Sequence, residues 1–132
     1  MPEQIALAYR RKLPQAIFAV QDAARTGFAG ESFDEVVIFG VLHHIEPWRE
    51  VVDECYRVLR PGGRLLIEEP DGALLARWDE LFQWGHPASF TLDEFEDYCR
   101  ERGFVIGSRW RHFGAGTYCL HKVAADPGSD RV

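Results

Sequence analysis

Apolar residues along the chain follow two rhythms. Val36 to Phe39 are continuously apolar, and so are Leu65, Leu66 and Ile67. Runs of this kind predict buried strands of a parallel sheet covered on both faces. Between them Trp48, Val51, Val52, Cys55, Val58 and Leu59 recur at helical spacing, which predicts a helix over 47–60 with one apolar stripe. Pro47 suits its first turn, and Pro61-Gly62-Gly63 ends it and turns the chain. Strand, helix and strand form one βαβ unit, for which a right-handed crossover is expected.

The same patterning organises the flanks. Ile5, Leu7, Ala8 and Tyr9 predict a helix over 3–13 that Pro14 stops. The short apolar run at 16–20, AIFAV, reads as a strand, and the polar, glycine-bearing QDAARTGFAGES after it as loop. Leu74, Leu75, Trp78, Leu81 and Phe82 make a further helical stripe. Thr91-Leu-Asp-Glu94 is a capping box; it opens a helix with Leu92, Phe95, Tyr98 and Cys99 on one face, closed by Gly103. Residues 104–110 and 117–123 read as two strands joined by a hairpin. The fold class is α/β with an antiparallel edge: a single domain over 1–125 and a frayed tail over 126–132.

Composition narrows the function classes. The chain has 132 residues, 46% of them hydrophobic, and a net charge of −6. That is enough for one domain with a real core, and the acidic balance argues against phosphate-dominated nucleic-acid binding. The three cysteines, Cys55, Cys99 and Cys119, have neither metal-ligand nor redox spacing. They read as buried reduced thiols of a cytoplasmic protein. No signal peptide is visible, and the longest apolar run, Val36 to Leu42, is too short to span a bilayer. No membrane or nucleic-acid partner is therefore expected.

The segment FDEVVIFGVLHHIEPWREVVDECYRVLRPGGRLLIEEP resembles the second half of a class I S-adenosylmethionine-dependent methyltransferase of the small-molecule type. QDA after a strand, VLHHI leaving the next, RVLRPGGRLLI leading into a third, and SFTLDEFEDYCRERGF near the end agree with that family in sequence order. The resemblance covers residues 3–123 and implies an incomplete Rossmann-like methyltransferase sheet. The family sheet is ordered 3-2-1-4-5-7-6 with strand 7 antiparallel. AIFAV resembles its third strand, EVVIF its fourth and RLLIE its fifth, and the final hairpin resembles its sixth and seventh. The first two strands have no counterpart.

The family's glycine-rich cofactor turn follows its first strand, and the acidic residue that bonds the ribose ends its second, so neither is expected here. The one G-x-G, Gly114-Ala-Gly116, lies between two strands with no helix after it and reads as a hairpin turn. For the cofactor S-adenosylmethionine, the resemblance assigns Asp22 as the acceptor from the adenine amino group and Ala23 as a backbone contact; read alone, Asp22 is a loop carboxylate capping the next helical turn. Gly40, Val41 and Leu42 leave the C-terminal end of a parallel strand, where open α/β sheets bind ligands.

His43 and His44 lie in the same place and are candidates to take a proton from a substrate nucleophile. Methyl transfer from a sulfonium depends heavily on positioning, so a base is optional; otherwise His44 packs under the sheet edge and His43 lines the mouth. Glu69 is a candidate substrate contact, against its reading as part of a solvated strand end with Glu68 and Asp71. Trp78, Phe82, Trp84, His86 and Phe90 fall where the family builds a substrate lid. Of these, Trp78 and Phe82 are expected in the core and Trp84 and His86 exposed, as substrate contacts.

Without two intervening strands, the family's third and fourth strands would stand roughly 14 Å apart, three spacings of ~4.8 Å. The fourth would keep a long apolar edge. Three outcomes satisfy it: direct pairing with the third strand, a homodimer through the edge, or a separate chain carrying the missing N-terminal half; the homodimer is the expectation. The chain alone is expected to bind the cofactor weakly or not at all and to show little activity. The leading reading is a methyltransferase, or its C-terminal part, acting on a small-molecule acceptor. Beside it stand a non-catalytic methyltransferase-like module that dimerises, and a truncated product without function.

Overall fold

A computed structural model describes residues 2–82 and 90–124. Helix α1, Pro2–Tyr9, is followed by strand β1, Phe33–Phe39, a single 3-10 turn at Leu42–His44, and helix α2, Trp48–Val58. Strand β2, Leu59–Pro70, helix α3, Gly72–Phe82, helix α4, Leu92–Arg102, and the hairpin of β3, Phe104–His112, and β4, Ala115–Lys122, complete the order.

The sheet has the order β1-β2-β4-β3. β1 runs parallel to β2, with Val36 opposite Leu65 and Ile38 opposite Ile67. β4 is antiparallel to both β2 and β3. The parallel pair joined through α2 and the antiparallel final hairpin are as the sequence predicts. Arg60–Gly63 does not simply end the helix: the register jumps from Phe33↔Leu59 to Glu35↔Arg64, so these four residues bulge out of β2, with Gly62 at φ 82°. Gly114, φ 78°, forms the hairpin turn.

The core lies on one face of the sheet. Val36, Ile38, Leu65, Ile67, Tyr118 and Leu120 meet the stripe of α2, with Trp48, Val51, Val52 and Cys55, and Leu92, Phe95 and Cys99 of α4. Trp48 packs against Phe90, ring centroids 4.7 Å apart, and Phe95 against Tyr118 at 5.5 Å. The capping box of α4 is realised in both directions: Glu94 N–H donates to Thr91 Oγ1 (3.2 Å), and Thr91 N–H donates to Glu94 Oε2 (2.7 Å). At the other end Gly103 takes the left-handed conformation, φ 108°. A Cβ there would also come within 2.9 Å of the Tyr56 hydroxyl.

The opposite face is open among the described residues. Val37, Phe39, Val105 and Trp110 are exposed on it, in line with half-buried Leu66 and Cys119. The expectation of coverage on both faces is thus corrected: Val36 and Ile38 pack inward, Val37 and Phe39 outward, because α2 and α4 both lie on one side. β1 is an edge strand, paired with β2 alone.

Three further expectations change. Residues 16–20 form no strand. A strand needs a ladder partner, and this segment instead folds back on α1, where Tyr9 Oη donates to the Phe18 carbonyl (2.6 Å) and Ile17 stays exposed. Trp78 and Phe82 are exposed rather than core; α3 buries only Gly72 at its first turn, so its later turns stand away from the sheet. Cys55 and Cys99 are buried as expected, but Cys119 is half-buried on the open face. Burial, with the charge of Glu54 adding to it, pushes the Cys55 thiol up to about 12. The tail expected over 126–132 lies outside the described residues.

Candidate functional site at the C-terminal ends of β1 and β2

Gly40 turns the chain out of β1 with φ 58°, a conformation that favours glycine, while its N–H still donates to the Glu68 carbonyl (2.8 Å). The following residues wrap around one carboxylate. Glu69 Oε1 accepts from the N–H groups of Val41 (3.0 Å) and Leu42 (2.9 Å). Glu69 Oε2 accepts from His43 N–H (3.2 Å) and lies 2.7 Å from His43 Nδ1. Glu69 is only 1% exposed. Its desolvation is offset by these donors, since buried carboxylates persist only where their oxygens are satisfied.

This corrects the reading of Glu69 as a solvated strand end. It also corrects the pair of histidines: His43 is the packed one, its side chain 13% exposed, and His44 is exposed. The rings stack obliquely with centroids 3.9 Å apart. The Glu69 contact favours a proton on His43 Nδ1, which puts the ring's lone pair on Nε2. A carboxylate fixing an imidazole's tautomer and orientation is a recurrent way to prepare a general base.

Among the described residues no hydrogen bond joins Asp22 or Ala23 to the Gly40–His44 turn. Asp22 Oδ1 accepts from Ala24 N–H (2.9 Å) and its carbonyl from Arg25 N–H (3.0 Å). Asp22 is thus a loop carboxylate that caps its own tight turn, 22–25, rather than a helical turn as expected; among the described residues Oδ2 has no protein donor. Ala23 lines an apolar cavity of about 240 Å³ with Phe28, Phe33, Val36, Cys55 and Val58.

For an adenosyl ligand the fit is partial. Asp22 Oδ2 is an acceptor suited to an amino group, and exposed Val41 offers an apolar wall. The N–H groups of Gly40, Val41 and Leu42 are spent on Glu68 and Glu69, and the Leu42 side chain is fully buried. Among the described residues no glycine-rich turn links a strand to a helix. Trp84 and His86 lie outside the described residues. No group of three or more metal-ligating side chains occurs among the described residues, and none of their helices is long and apolar enough to cross a membrane.

Sequence reasoning missed two anchoring groups. Glu54 sits on the apolar stripe of α2, three residues after Val51 and four before Val58, and a charge on such a stripe signals a buried partner. Lys122, 8% exposed, donates from Nζ to the carbonyls of Tyr56 (3.0 Å) and Leu59 (2.8 Å), capping the C-terminus of α2. Its signal, a lysine at an inward position of an apolar strand, was equally present.

Comparison with known proteins places these segments. Residues 1–67 match the methyltransferase domain family. Over 107 residues the chain is 33% identical to an O-methyltransferase of Penicillium expansum, covering 74% of this chain and 38% of that protein. Over 74 residues it is 38% identical to a demethylmenaquinone methyltransferase of Paenarthrobacter aurescens, covering 55% of this chain and 29% of the relative. The chain thus spans well under half the length of these curated relatives. The fold matches the N-methyltransferase NodS of Bradyrhizobium japonicum, solved with S-adenosyl-l-homocysteine, with a TM-score of 0.74 and 23% identity over 92% of this chain and 63% of NodS. With half its length matched by that domain family, and with the fold of a solved methyltransferase, this chain belongs to the methyltransferase domain family.

Proposed function

We propose that the chain forms the acceptor-side part of a methyltransferase for a small hydroxylated molecule. The observation that carries this reading is the Glu69–His43 pair at the C-terminal ends of the two parallel strands, 2.7 Å apart. S-adenosylmethionine, when bound, would supply a methyl group on a sulfonium sulfur. His43 Nε2 would take the acceptor's hydroxyl proton, and Glu69 would steady the resulting imidazolium through Nδ1–H. Asp22 and Ala23 would hold the adenine edge, with Val41 as an apolar wall. The relatives named as O-methyltransferases support a hydroxyl acceptor. Cofactor affinity of this chain alone is weak, because Gly40–Leu42 retain no N–H to donate.

Titration with S-adenosylhomocysteine tests this. Resonances of Asp22, Ala23 and Val41 shift together on binding weaker than low-micromolar, while the His43 ring nitrogens keep the Nδ1–H tautomer. Low-micromolar affinity by calorimetry, or His43 protonated at Nε2, overturns it.

A second copy of the chain is the partner this reading assigns to the edge of β1. Because Gly40 N–H points at β2, strand alternation turns the N–H and C=O groups of Glu35, Val37 and Phe39 away from it. Two copies paired antiparallel about Val37 would satisfy both edges.

A further inference from the structure

The segment carrying Asp22 and Ala23 joins no sheet, so something other than a ladder sets its place. Its one bridge among the described residues is internal, Asp22 with Arg25. Immediately after that turn, both polar groups of Thr26 reach the same atom of α2: its N–H (2.9 Å) and its hydroxyl (2.5 Å) donate to Glu54 Oε1. Glu54 is itself gripped by the fork of Arg57, Nε to Oε2 and Nη2 to Oε1, each at 2.8 Å. Arg57 Nη2 then donates to the Phe28 carbonyl (2.7 Å). Further on, Glu31 N–H and Ser32 N–H donate to the carbonyls of Arg57 (3.0 Å) and Val58 (2.8 Å). Attachment points therefore run along the segment from 26 to 32: Thr26, Phe28 and the N–H groups of Glu31 and Ser32 meet the last turn and a half of α2, while the Glu31 carbonyl and carboxylate meet Arg60 and Lys122.

We propose that Glu54 and Arg57 are positioning residues that fix the Asp22–Phe28 segment and thereby the placement of Asp22 and Ala23; the adenosyl role of those two rests on the function proposed above. The two side chains divide the work. Glu54 accepts from the segment and Arg57 donates to it, so the two are complementary and not interchangeable. The bidentate pairing also locks the carboxylate plane, which a lysine at 57 could not do. Glu54 is 8% exposed, so losing its partners would leave a buried charge, and this coupling makes the clamp cooperative. The Arg57 hydrogen bond, with those from Thr26 and against the opposing effect of burial, holds the Glu54 carboxyl at about 2. Ala24 packs against the core just before the clamp, so two successive contacts hold the C-terminal half of the Asp22 turn.

Amide hydrogen exchange on the full chain tests the clamp without any cofactor. In Glu54→Gln, exchange at Ala24, Arg25 and Thr26 accelerates about tenfold or more, the scale of a lost charged hydrogen bond, while Leu65 to Ile67 in β2 keep their rates. Thr26→Ser behaves as wild type because it keeps the hydroxyl; Thr26→Val and Arg57→Lys show the same local loss and decide the matter should Glu54→Gln fail to fold. Unchanged rates at 24–26, or an equal rise throughout β2, overturn the proposal. Titration of the same proteins with S-adenosylhomocysteine separates the two claims. A roughly tenfold weaker affinity in Glu54→Gln, on that same scale, ties the clamp to the ligand. No response of Asp22 in wild type overturns the adenosyl reading, with the exchange result still judging the clamp.

Discussion

The two faces of the sheet are built from the same four strands and share one register, yet they carry different chemistry. On one face Val36, Ile38, Leu65, Ile67, Tyr118 and Leu120 disappear under α2 and α4. On the other, Val37, Phe39, Val105 and Trp110 remain exposed beside the Arg64–Glu35 ion pair and the Thr117–Glu68 hydrogen bond. Identical backbone pairing thus coexists with very unequal packing. The packed core of the described residues lies in the helix-covered layer, and the open layer contributes exposed apolar surface. The covered side also holds the buried carboxylates Glu54 and Glu69, each gripping one of the two candidate binding segments.

Phenylalanines on the two faces give the sharpest contrast. Phe95→Ala, on the covered side with no exposure, is expected to cost about 3–5 kcal/mol in chemical denaturation, as transfer and cavity terms combine. If that loss is absent, the core lies elsewhere. Lys122→Met removes the cap on α2 while keeping most of the side-chain bulk. Two buried carbonyls lose a charged donor, and a loss of about 1–3 kcal/mol is expected from the same measurement.

Acid should act locally and at one attachment first. The Glu54 carboxyl is lowered from its ordinary 4.5 to about 2 by its hydrogen bond from Arg57, burial opposing, and by those from Thr26. A depressed carboxylate contributes stability that is fully present above its unfolded value and is lost as pH falls through the folded one. Protection at 24–26, taken relative to the intrinsic exchange rate at each pH, should therefore hold steady from pH 7 to about 5, and the clamp's contribution should decline between 4.5 and about 2. A loss already complete at pH 5 would exclude Glu54 as its cause. The smallest effect belongs to the open face: Phe39→Thr should change monomer stability by less than about 0.5 kcal/mol, as at other surface positions. In sedimentation it should instead weaken the concentration-dependent self-association expected at the β1 edge. A large destabilisation without any change in association would place Phe39 in a core.

The covered layer was also the part most legible in the sequence. The α2 stripe, the capping box at Thr91, the closing role of Gly103 and the final hairpin depend on local spacing, and local spacing is written in the chain. What could not be read depends on a partner. AIFAV has strand composition, but a strand exists only through a neighbour, and Phe18 pairs with Tyr9 instead. Trp78 and Phe82 keep helical spacing yet stay exposed, because spacing alone does not say which stripe meets the core. Of the site, the place was legible, since Gly40 to His43 do leave the end of a parallel strand. The inward turn of Glu69 was not, because two adjacent glutamates at a strand end differ only in which face each occupies.

The most direct test of the central claim, that the Asp22–Ala23 turn and the Gly40–His43 turn serve one adenosyl ligand, is photo-crosslinking with an azidoadenine analogue of S-adenosylhomocysteine, followed by peptide mapping. Label on peptides containing residues 21–25 and 40–44, competed away by unmodified S-adenosylhomocysteine, is the predicted result. Label confined to the β3–β4 hairpin, or label that no competitor removes, would contradict it.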